Sequence, residues 1–246
     1  MSCQPRKNKE VYIWLENKQS CLLCDEMTDT ALPLCHPCEQ QLPWLLDCCP
    51  RCALPMGQAG LLCADCLKRP PAFQQVHAPW IYGFPIDSLI SQFKHRSHFP
   101  FGYLLAELLG RSLQDRFEHG LIRPSALLPV PMTDRRQRRR GYNQATLLAQ
   151  WLGRHLALPC QQDLLRRVQD TPAQQQLDAR ARQRNLLKAF ALAPAAQVEG
   201  LHLALVDDVL TTGATAQALA RLLMRAGAAR VDIYCLARTP KPGALA

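Results

Sequence analysis

The amino-acid sequence predicts a parallel α/β domain that follows a small cysteine-rich domain. Ten of the twelve cysteines lie between residues 3 and 66. Beyond residue 72, short apolar strands alternate with helical patterns, which is typical of a parallel sheet covered on both faces. The segment Lys68–Pro71 separates the two regions, because consecutive prolines continue neither a helix nor a central strand. We therefore expect a tail at 1–19, a cysteine-rich domain at 20–70 and an α/β domain at 72–240.

The elements of the α/β domain follow from periodicity and composition. Short apolar runs predict strands at 126–130, 203–206 and 231–236, the last rich in β-branched and aromatic residues. Helical spacing of apolar residues predicts helices at 143–156 and 216–226. The second of these ends before a glycine, which suits a left-handed C-cap.

Eight cysteines form four pairs whose first members are a constant 14 residues apart. The turn Cys-x2-Cys points two thiolates at one metal ion, and two such turns complete a tetrahedral four-cysteine zinc site. The sequence therefore predicts two structural zinc ions, because a closed site of four thiolates leaves no position for a catalytic water. The ligands are Cys21, Cys24, Cys35, Cys38, Cys49, Cys52, Cys63 and Cys66.

The spacing leaves the pairing of these four turns open. Sequential ribbons join the first pair to the second and the third to the fourth, with ten residues between the pairs of each site. A cross-brace arrangement is the alternative. Sequential pairing is the preferred prediction because its loops are compact.

Two adjacent acids and a hydroxyl-rich loop follow the predicted strand at 203–206. Parallel sheets bind their ligands at the carboxyl ends of the strands, where Asp207 and Asp208 are expected. Carboxylates accept hydrogen bonds from ribose hydroxyls or hold Mg²⁺. Backbone amides and hydroxyl groups ahead of a helix suit a phosphate, and a glycine permits close approach. The expected phosphate-binding residues are Val209, Leu210, Thr211, Thr212, Gly213, Ala214 and Thr215.

Five arginines crowd into residues 135–140, after the strand predicted at 126–130. Guanidinium groups fork two donors onto a phosphate, so this cluster suits pyrophosphate or a nucleic-acid backbone. The formal net charge of +9 agrees with a phosphorylated or polyanionic partner. A solvated charged surface is the alternative for any single arginine.

The remaining features bear on localisation. The sequence contains no apolar run long enough to span a membrane, and its start lacks the pattern of a signal peptide. Cysteine usage then indicates metal binding in a reducing cytoplasm rather than disulfides.

These motifs together resemble the ComF/GntX family of bacterial competence and DNA-utilisation proteins. The similarity extends from Cys21 to Thr239 and includes the cysteine pairs and the segment 206–215. It also includes Lys94, Arg140, Gly141, Tyr142, Asn143, Gln144, Arg182 and Asn185. These residues, together with Arg139, are expected to contact pyrophosphate or DNA. The resemblance implies a type I phosphoribosyltransferase fold behind a double zinc ribbon. It further implies a loop for phosphoribosyl pyrophosphate (PRPP) with Mg²⁺, and a role in handling single-stranded DNA, with other DNA-uptake or processing proteins as further partners.

Three functions are compatible with these predictions. The favoured one is a DNA-uptake or DNA-utilisation protein with a PRPP-type site and a basic surface for single-stranded DNA. A second is a nucleobase-salvage phosphoribosyltransferase, in which Asp207 and Asp208 hold the ribose and Arg140 the leaving group. A third is a PRPP-sensing regulatory protein that docks on partners through its zinc ribbons.

Overall fold

The computed structural model describes residues 19–169, 188–194 and 196–241. The chain forms two compact units, whose boundary falls between Gln41 and Leu42. The smaller unit contains the first two cysteine pairs, and the larger contains the other two pairs together with the α/β domain. The domain boundaries expected from the sequence remain a prediction.

The smaller unit is a short antiparallel hairpin followed by one helical turn. Strand β1 (Gln19–Ser20) pairs with β2 (Met27–Thr28), and helix α1 (His36–Gln40) begins directly after Cys35. The hydroxyl of Thr30 donates to the carbonyl of Leu34 at 2.9 Å, which fixes the loop between the cysteine pairs. So short a segment buries little apolar surface and depends on metal ligation for its stability.

The larger unit opens with the second ribbon. Cys49, Leu54, Cys63 and Cys66 form a small buried cluster, and helix α2 (Ala64–Lys68) carries the last ligand. Ala53 belongs instead to the main hydrophobic core of the α/β domain, against which Cys52 also packs. The ribbon and the domain therefore share a core.

A parallel sheet forms the centre of the α/β domain. Its strands are β3 (Gln75–His77), β4 (Trp80–Ile81), β5 (Ala126–Pro129), β8 (His202–Leu210) and β9 (Arg230–Arg238). The strand order is β3-β9-β8-β5. Strand β4 also pairs with β9. The two central strands are almost wholly buried, as expected for a sheet covered on both faces.

Helices cover both faces of this sheet. Helices α3 (Ile86–Arg96) and α4 (Phe99–Glu118) pack together, and α4 contacts β9 and α6 (Gln144–Leu156). Helix α7 (Ala214–Arg225) packs with the side chains of Leu203 and Leu205 in the main core. Two further elements are helix α5 (Asp134–Arg140) and an antiparallel hairpin of β6 (Leu165–Arg167) and β7 (Phe190–Leu192).

The structure contains the three predicted strands and the two predicted helices, and two of the strands are longer than predicted. The strand predicted at 203–206 continues to Leu210, so Asp207 and Asp208 lie within β8 rather than after it. Pairing with β9 explains the extension, because Asp207 is opposite Cys235 and Leu210 is opposite Arg238. The phosphate loop is therefore shorter than expected and begins at Thr211.

Within the three described ranges, no helix has the length and apolar character needed to cross a membrane.

Candidate functional site

The two acids of β8 point to opposite faces of the sheet, because successive strand residues alternate. Asp207 lies on the face that carries α7, and Asp208, only 5% exposed, lies on the other. Each carboxylate is fixed locally by the next backbone amide. The amide of Asp208 donates to Asp207 Oδ1 at 2.8 Å, and the amide of Val209 donates to Asp208 Oδ1 at 2.6 Å.

Lys94 supplies the positive charge for this acidic pair. Its Nζ lies 2.9 Å from Asp208 Oδ2, and both side chains are largely buried. The lysine is in the last turn of α3, where the helix dipole favours a cation. A buried carboxylate without a partner would be costly, so Lys94 stabilises the site in the free protein.

Burial and the neighbouring Asp208 carboxylate raise the pKa of Asp207 to about 8. Lys94 opposes this effect but is closer to Asp208. At neutral pH, Asp207 therefore retains its proton in the free protein. A ligand that brings positive charge to the pair would release this proton.

The loop after β8 presents backbone amides and hydroxyl groups at the carboxyl end of the sheet. Thr211, Thr212 and Ala214 are exposed, and the amide of Ala214 donates to Thr212 Oγ1 at 3.4 Å. Gly213 has a φ of +75°, a left-handed conformation in which an L side chain is strained. Helix α7 begins at Ala214, and the first amides of any helix have no acceptor within it. The loop can therefore surround an anion.

Val209 and Leu210, which were predicted to bind phosphate, are strand residues rather than loop residues. Val209 and Leu210 continue the strand, and the Leu210 side chain is buried in the main core. These two residues position the loop through their backbone.

Arg238 braces the loop from the last position of β9. Its Nη1 donates to the carbonyls of Leu210 at 2.9 Å and Thr239 at 2.7 Å, and also to the carbonyl of Thr211. Its Nε donates to the carbonyl of Cys52, a predicted zinc ligand, at 3.0 Å. The sequence pattern did not predict a role for this residue. The available signal was an arginine directly after four buried hydrophobic residues, 234–237.

The segment Arg140–Gln144 connects α5 to α6 and is partly structural. Asn143 caps α6 by accepting from the amide of Ala145 at 3.0 Å, and its Nδ2 donates to the carbonyl of Val130. Tyr142 donates from its hydroxyl to the carbonyl of Phe93, and its ring packs against Phe93 at 5.8 Å between centroids. Tyr142 thus ties this segment to α3, which carries Lys94.

Among the described residues, Arg140 is the arginine of the cluster whose side chain has a hydrogen-bond partner. Its Nη1 donates to Gln144 Oε1 at 2.5 Å. Gly141 ends α5 with a φ of +87° and so permits the sharp turn between the two helices. The other arginines of α5 are exposed, including Arg139, and follow the carboxyl end of β5 as expected. Arg182 and Asn185 lie outside the described residues.

The cysteine pairs form two clusters, and in each the four sulfur atoms lie within 4.8 Å of one another. The first contains Cys21, Cys24, Cys35 and Cys38, and the second contains Cys49, Cys52, Cys63 and Cys66. The pairing is therefore sequential, not cross-braced. A tetrahedral zinc ion with bonds of about 2.3 Å requires sulfurs about 3.8 Å apart. Cys24 and Cys35 are 3.7 Å apart and Cys52 and Cys63 are 3.6 Å apart, so both clusters fit zinc.

Backbone amides stabilise the thiolate form of the leading cysteines. Burial acts to raise their pKa, but amides that donate to the sulfurs outweigh it and lower the pKa of Cys21 to about 6 and that of Cys49 to about 7. One such contact joins the amide of Cys63 to Cys49 Sγ at 3.4 Å. Thiolates are the form that binds zinc.

Comparison with known proteins supports the division into a cysteine-rich region and an α/β region. A family model described as a double zinc ribbon domain matches residues 18–67, and one described as a phosphoribosyl transferase domain matches residues 138–244. The DNA utilization protein YhgH of Salmonella typhi is 39% identical over 207 residues, which cover 84% of this chain and 90% of that protein. The chain belongs to the ComF/GntX family.

Two further members of the ComF/GntX family show similarity over most of their length. Competence protein F of Haemophilus influenzae is 36% identical over 83% of this chain and 90% of its own. Competence protein ComFC of Bacillus subtilis is 28% identical over 91% of this chain and 96% of its own. The predicted family and fold class, a type I phosphoribosyltransferase-like parallel sheet behind a double zinc ribbon, are confirmed.

Proposed function

We propose that this ComF/GntX protein binds PRPP together with Mg²⁺ at the carboxyl ends of β5 and β8. The supporting observation is the order of groups along β8 and α7. The acidic pair Asp207–Asp208 lies near the end of β8, and the loop Thr211–Thr215 follows this strand. Lys94 forms an ion pair with Asp208. Ribose hydroxyls and a 5-phosphate need these two kinds of group side by side.

Each part of the ligand has a matching set of groups. The amides and hydroxyls of the loop surround the 5-phosphate, and the start of α7 adds its partial positive charge. The acids accept hydrogen bonds from the ribose hydroxyls. Their oxygens also suit Mg²⁺, which would neutralise the pyrophosphate charge. Lys94 and Arg140 would bind the pyrophosphate; the structure holds Lys94 on Asp208 and Arg140 on Gln144.

The proposed binding site changes its charge state when it is filled. The free protein neutralises Asp208 with Lys94 and keeps a proton on Asp207. A divalent cation bound with the ligand at the carboxyl end of β8 would replace both positive charges. Lys94 would then be released toward the pyrophosphate, and Asp207 would lose its proton.

We also propose that the exposed arginines of α5 contact single-stranded DNA. Five arginines within seven residues repel one another on a short helix, and a polyanion would relieve this repulsion. The relatives named for DNA utilisation and competence support a nucleic-acid partner. A cytoplasmic location is part of this proposal.

Calorimetric titration with PRPP in the presence of Mg²⁺ tests the site. Replacing Asp207 and Asp208 with asparagine preserves shape and removes charge, so PRPP affinity should fall by at least about 30-fold, a loss of about 2 kcal/mol. The matched control is Asp163→Asn, an exposed acid outside the site. Equal affinity of the double variant and wild type would refute the assignment.

A pyrophosphate-release assay distinguishes binding from catalysis. PRPP is incubated with a panel of nucleobases and with DNA oligomers. Release that depends on a base would identify a nucleobase-salvage transferase. Binding without release under all of these conditions would favour a PRPP sensor.

A further inference from the structure

The second zinc ribbon and the phosphate loop are joined by one buried guanidinium group. Arg238 is 8% exposed, and within the described residues all of its hydrogen-bond partners are backbone carbonyls. Nε binds the carbonyl of Cys52, while Nη1 binds those of Leu210, Thr211 and Thr239. The ribbon and the loop thus share a single rigid donor.

The rigid geometry of the guanidinium group allows a movement on one side of Arg238 to be transmitted to the other side. The guanidinium group is planar, remains charged and offers five donors in a fixed fork. Its Nε and Nη1 point in set directions relative to each other. A shift of the Cys52 carbonyl therefore moves the guanidinium plane and, with it, the carbonyls of Leu210 and Thr211.

The position of the Cys52 carbonyl depends on closure of the zinc cluster. Cys49 and Cys52 form one turn, in which the amide of Ala53 donates to the carbonyl of Cys49 at 2.9 Å. Ala53 has a φ of +52°, which an alanine adopts only at a cost. A metal ion that joins both thiolates would hold this strained turn in place.

A second contact connects the same region to the start of α7. The amide of Ala72, just after the ribbon, donates to Gln217 Oε1 at 2.8 Å. Gln217 is in the first turn of the helix that opens at the phosphate loop. The ribbon side therefore supports both ends of the loop.

We propose that Arg238 is a positioning residue that couples metal binding at the second cysteine cluster, Cys49–Cys66, to the shape of the phosphate loop, Thr211–Thr215. The second ribbon is then a structural part of the phosphate site. The consequence for ligand affinity rests on the proposed PRPP function. The coupling itself does not, because it exists in the free protein.

Hydrogen exchange of the free, zinc-loaded protein tests the coupling. Arg238→Lys keeps the charge and all eight thiolates. A lysine lacks the planar group that binds the carbonyls of Cys52 and Leu210 at the same time. Two amides report on the loop ends: Thr239, bonded to Leu210 O at 3.1 Å, and Gln217, bonded to Gly213 O at 2.8 Å. Both should exchange at least about tenfold faster, while the sheet amide of Val130 stays unchanged.

Two further variants make the result specific. Lys241→Met removes an exposed ion pair with Asp65 that also joins the ribbon to the end of β9, and it should leave both amides at their wild-type rates. Cys66→Ser removes a ligand of the second cluster and should accelerate the same two amides. If Cys66→Ser does not fold, Arg238→Lys decides alone.

Calorimetry with PRPP and Mg²⁺ separates this inference from the proposed function. We expect affinity to fall about tenfold in Arg238→Lys, with an unchanged zinc content. If wild type does not bind PRPP, the proposed function fails and the exchange rates still test the coupling. Wild-type exchange of Thr239 and Gln217 in folded Arg238→Lys would overturn it.

Discussion

The chemistry of the site depends on a few largely buried ionisable residues, whose charges are set by their immediate neighbours. Asp208 is neutralised by Lys94, and Asp207 avoids a second negative charge by keeping its proton. The two acids are adjacent in sequence but lie on opposite faces of the sheet, so their environments differ. In the free protein, Lys94 and the retained proton thus compensate both carboxylates, and a divalent cation would take over this role.

The raised pKa of Asp207 predicts how stability depends on pH. The folded state binds its proton up to about pH 8, whereas an unfolded aspartate releases it near 3.8. The folded protein thus holds more protons between these values, and the contribution of Asp207 to the free energy of unfolding decreases as pH rises through this window. Asp207→Asn should remove this decrease and stabilise the free protein at pH 9 by on the order of 2 kcal/mol.

Urea denaturation between pH 5 and 9 measures this difference. Wild type and Asp207→Asn should diverge steadily as pH rises, while Asp163→Asn should follow wild type. A constant difference between wild type and Asp207→Asn across this range would show that Asp207 is ionised in the folded protein.

At the scale of elements, the strands and helices with regularly spaced buried residues were predicted from the sequence. The central strands and the helices at 143–156 and 216–226 have apolar residues at fixed spacing, so they were found within a few residues. The end of β8 was missed because polar residues usually end a strand, whereas pairing with β9 carries it through Asp207 and Asp208. Arg238 was missed because its role depends on carbonyls from segments distant in sequence.

The arginines of helix α5 are predicted to contribute to the binding of single-stranded DNA. The arginine cluster was predicted from the sequence, but the helix was not. Thr133 caps this helix by accepting from the amide of Arg136 at 3.4 Å. Changing Arg138, Arg139 and Arg140 to glutamine should weaken binding of a single-stranded oligomer. The slope of log affinity against log salt should fall by about 2, since each lost phosphate contact removes about 0.7.

The control for this prediction removes the same net charge elsewhere. Arg111, Arg154 and Arg225 are exposed residues of three other helices. Their replacement by glutamine should change the salt slope much less than the α5 variant does. Equal slopes for the two triple variants would mean that only total charge matters and that α5 is not the contact surface.

On the scale of the whole molecule, the two cysteine clusters are alike in ligands but not in surroundings. The first cluster belongs to a unit of its own, with few buried apolar residues. The second shares Cys52 and Ala53 with the main core, and its Cys52 carbonyl accepts a hydrogen bond from Arg238 Nε. Equal spacing of the cysteine pairs made the two sites indistinguishable in the sequence, because spacing reports ligands and not what packs around them.

Metal analysis combined with thermal unfolding should reveal this asymmetry. The reduced protein should contain about two zinc ions per chain, and Cys24→Ser and Cys66→Ser should each retain about one. Since a structural zinc ion contributes folding free energy to the unit that holds it, Cys66→Ser should lower the main melting transition by roughly 5 °C or more. Cys24→Ser should lower this transition by less, because its cluster stabilises the smaller unit. Protein without zinc but with both units folded would refute the metal assignment, and equal shifts in the two variants would refute the proposed asymmetry.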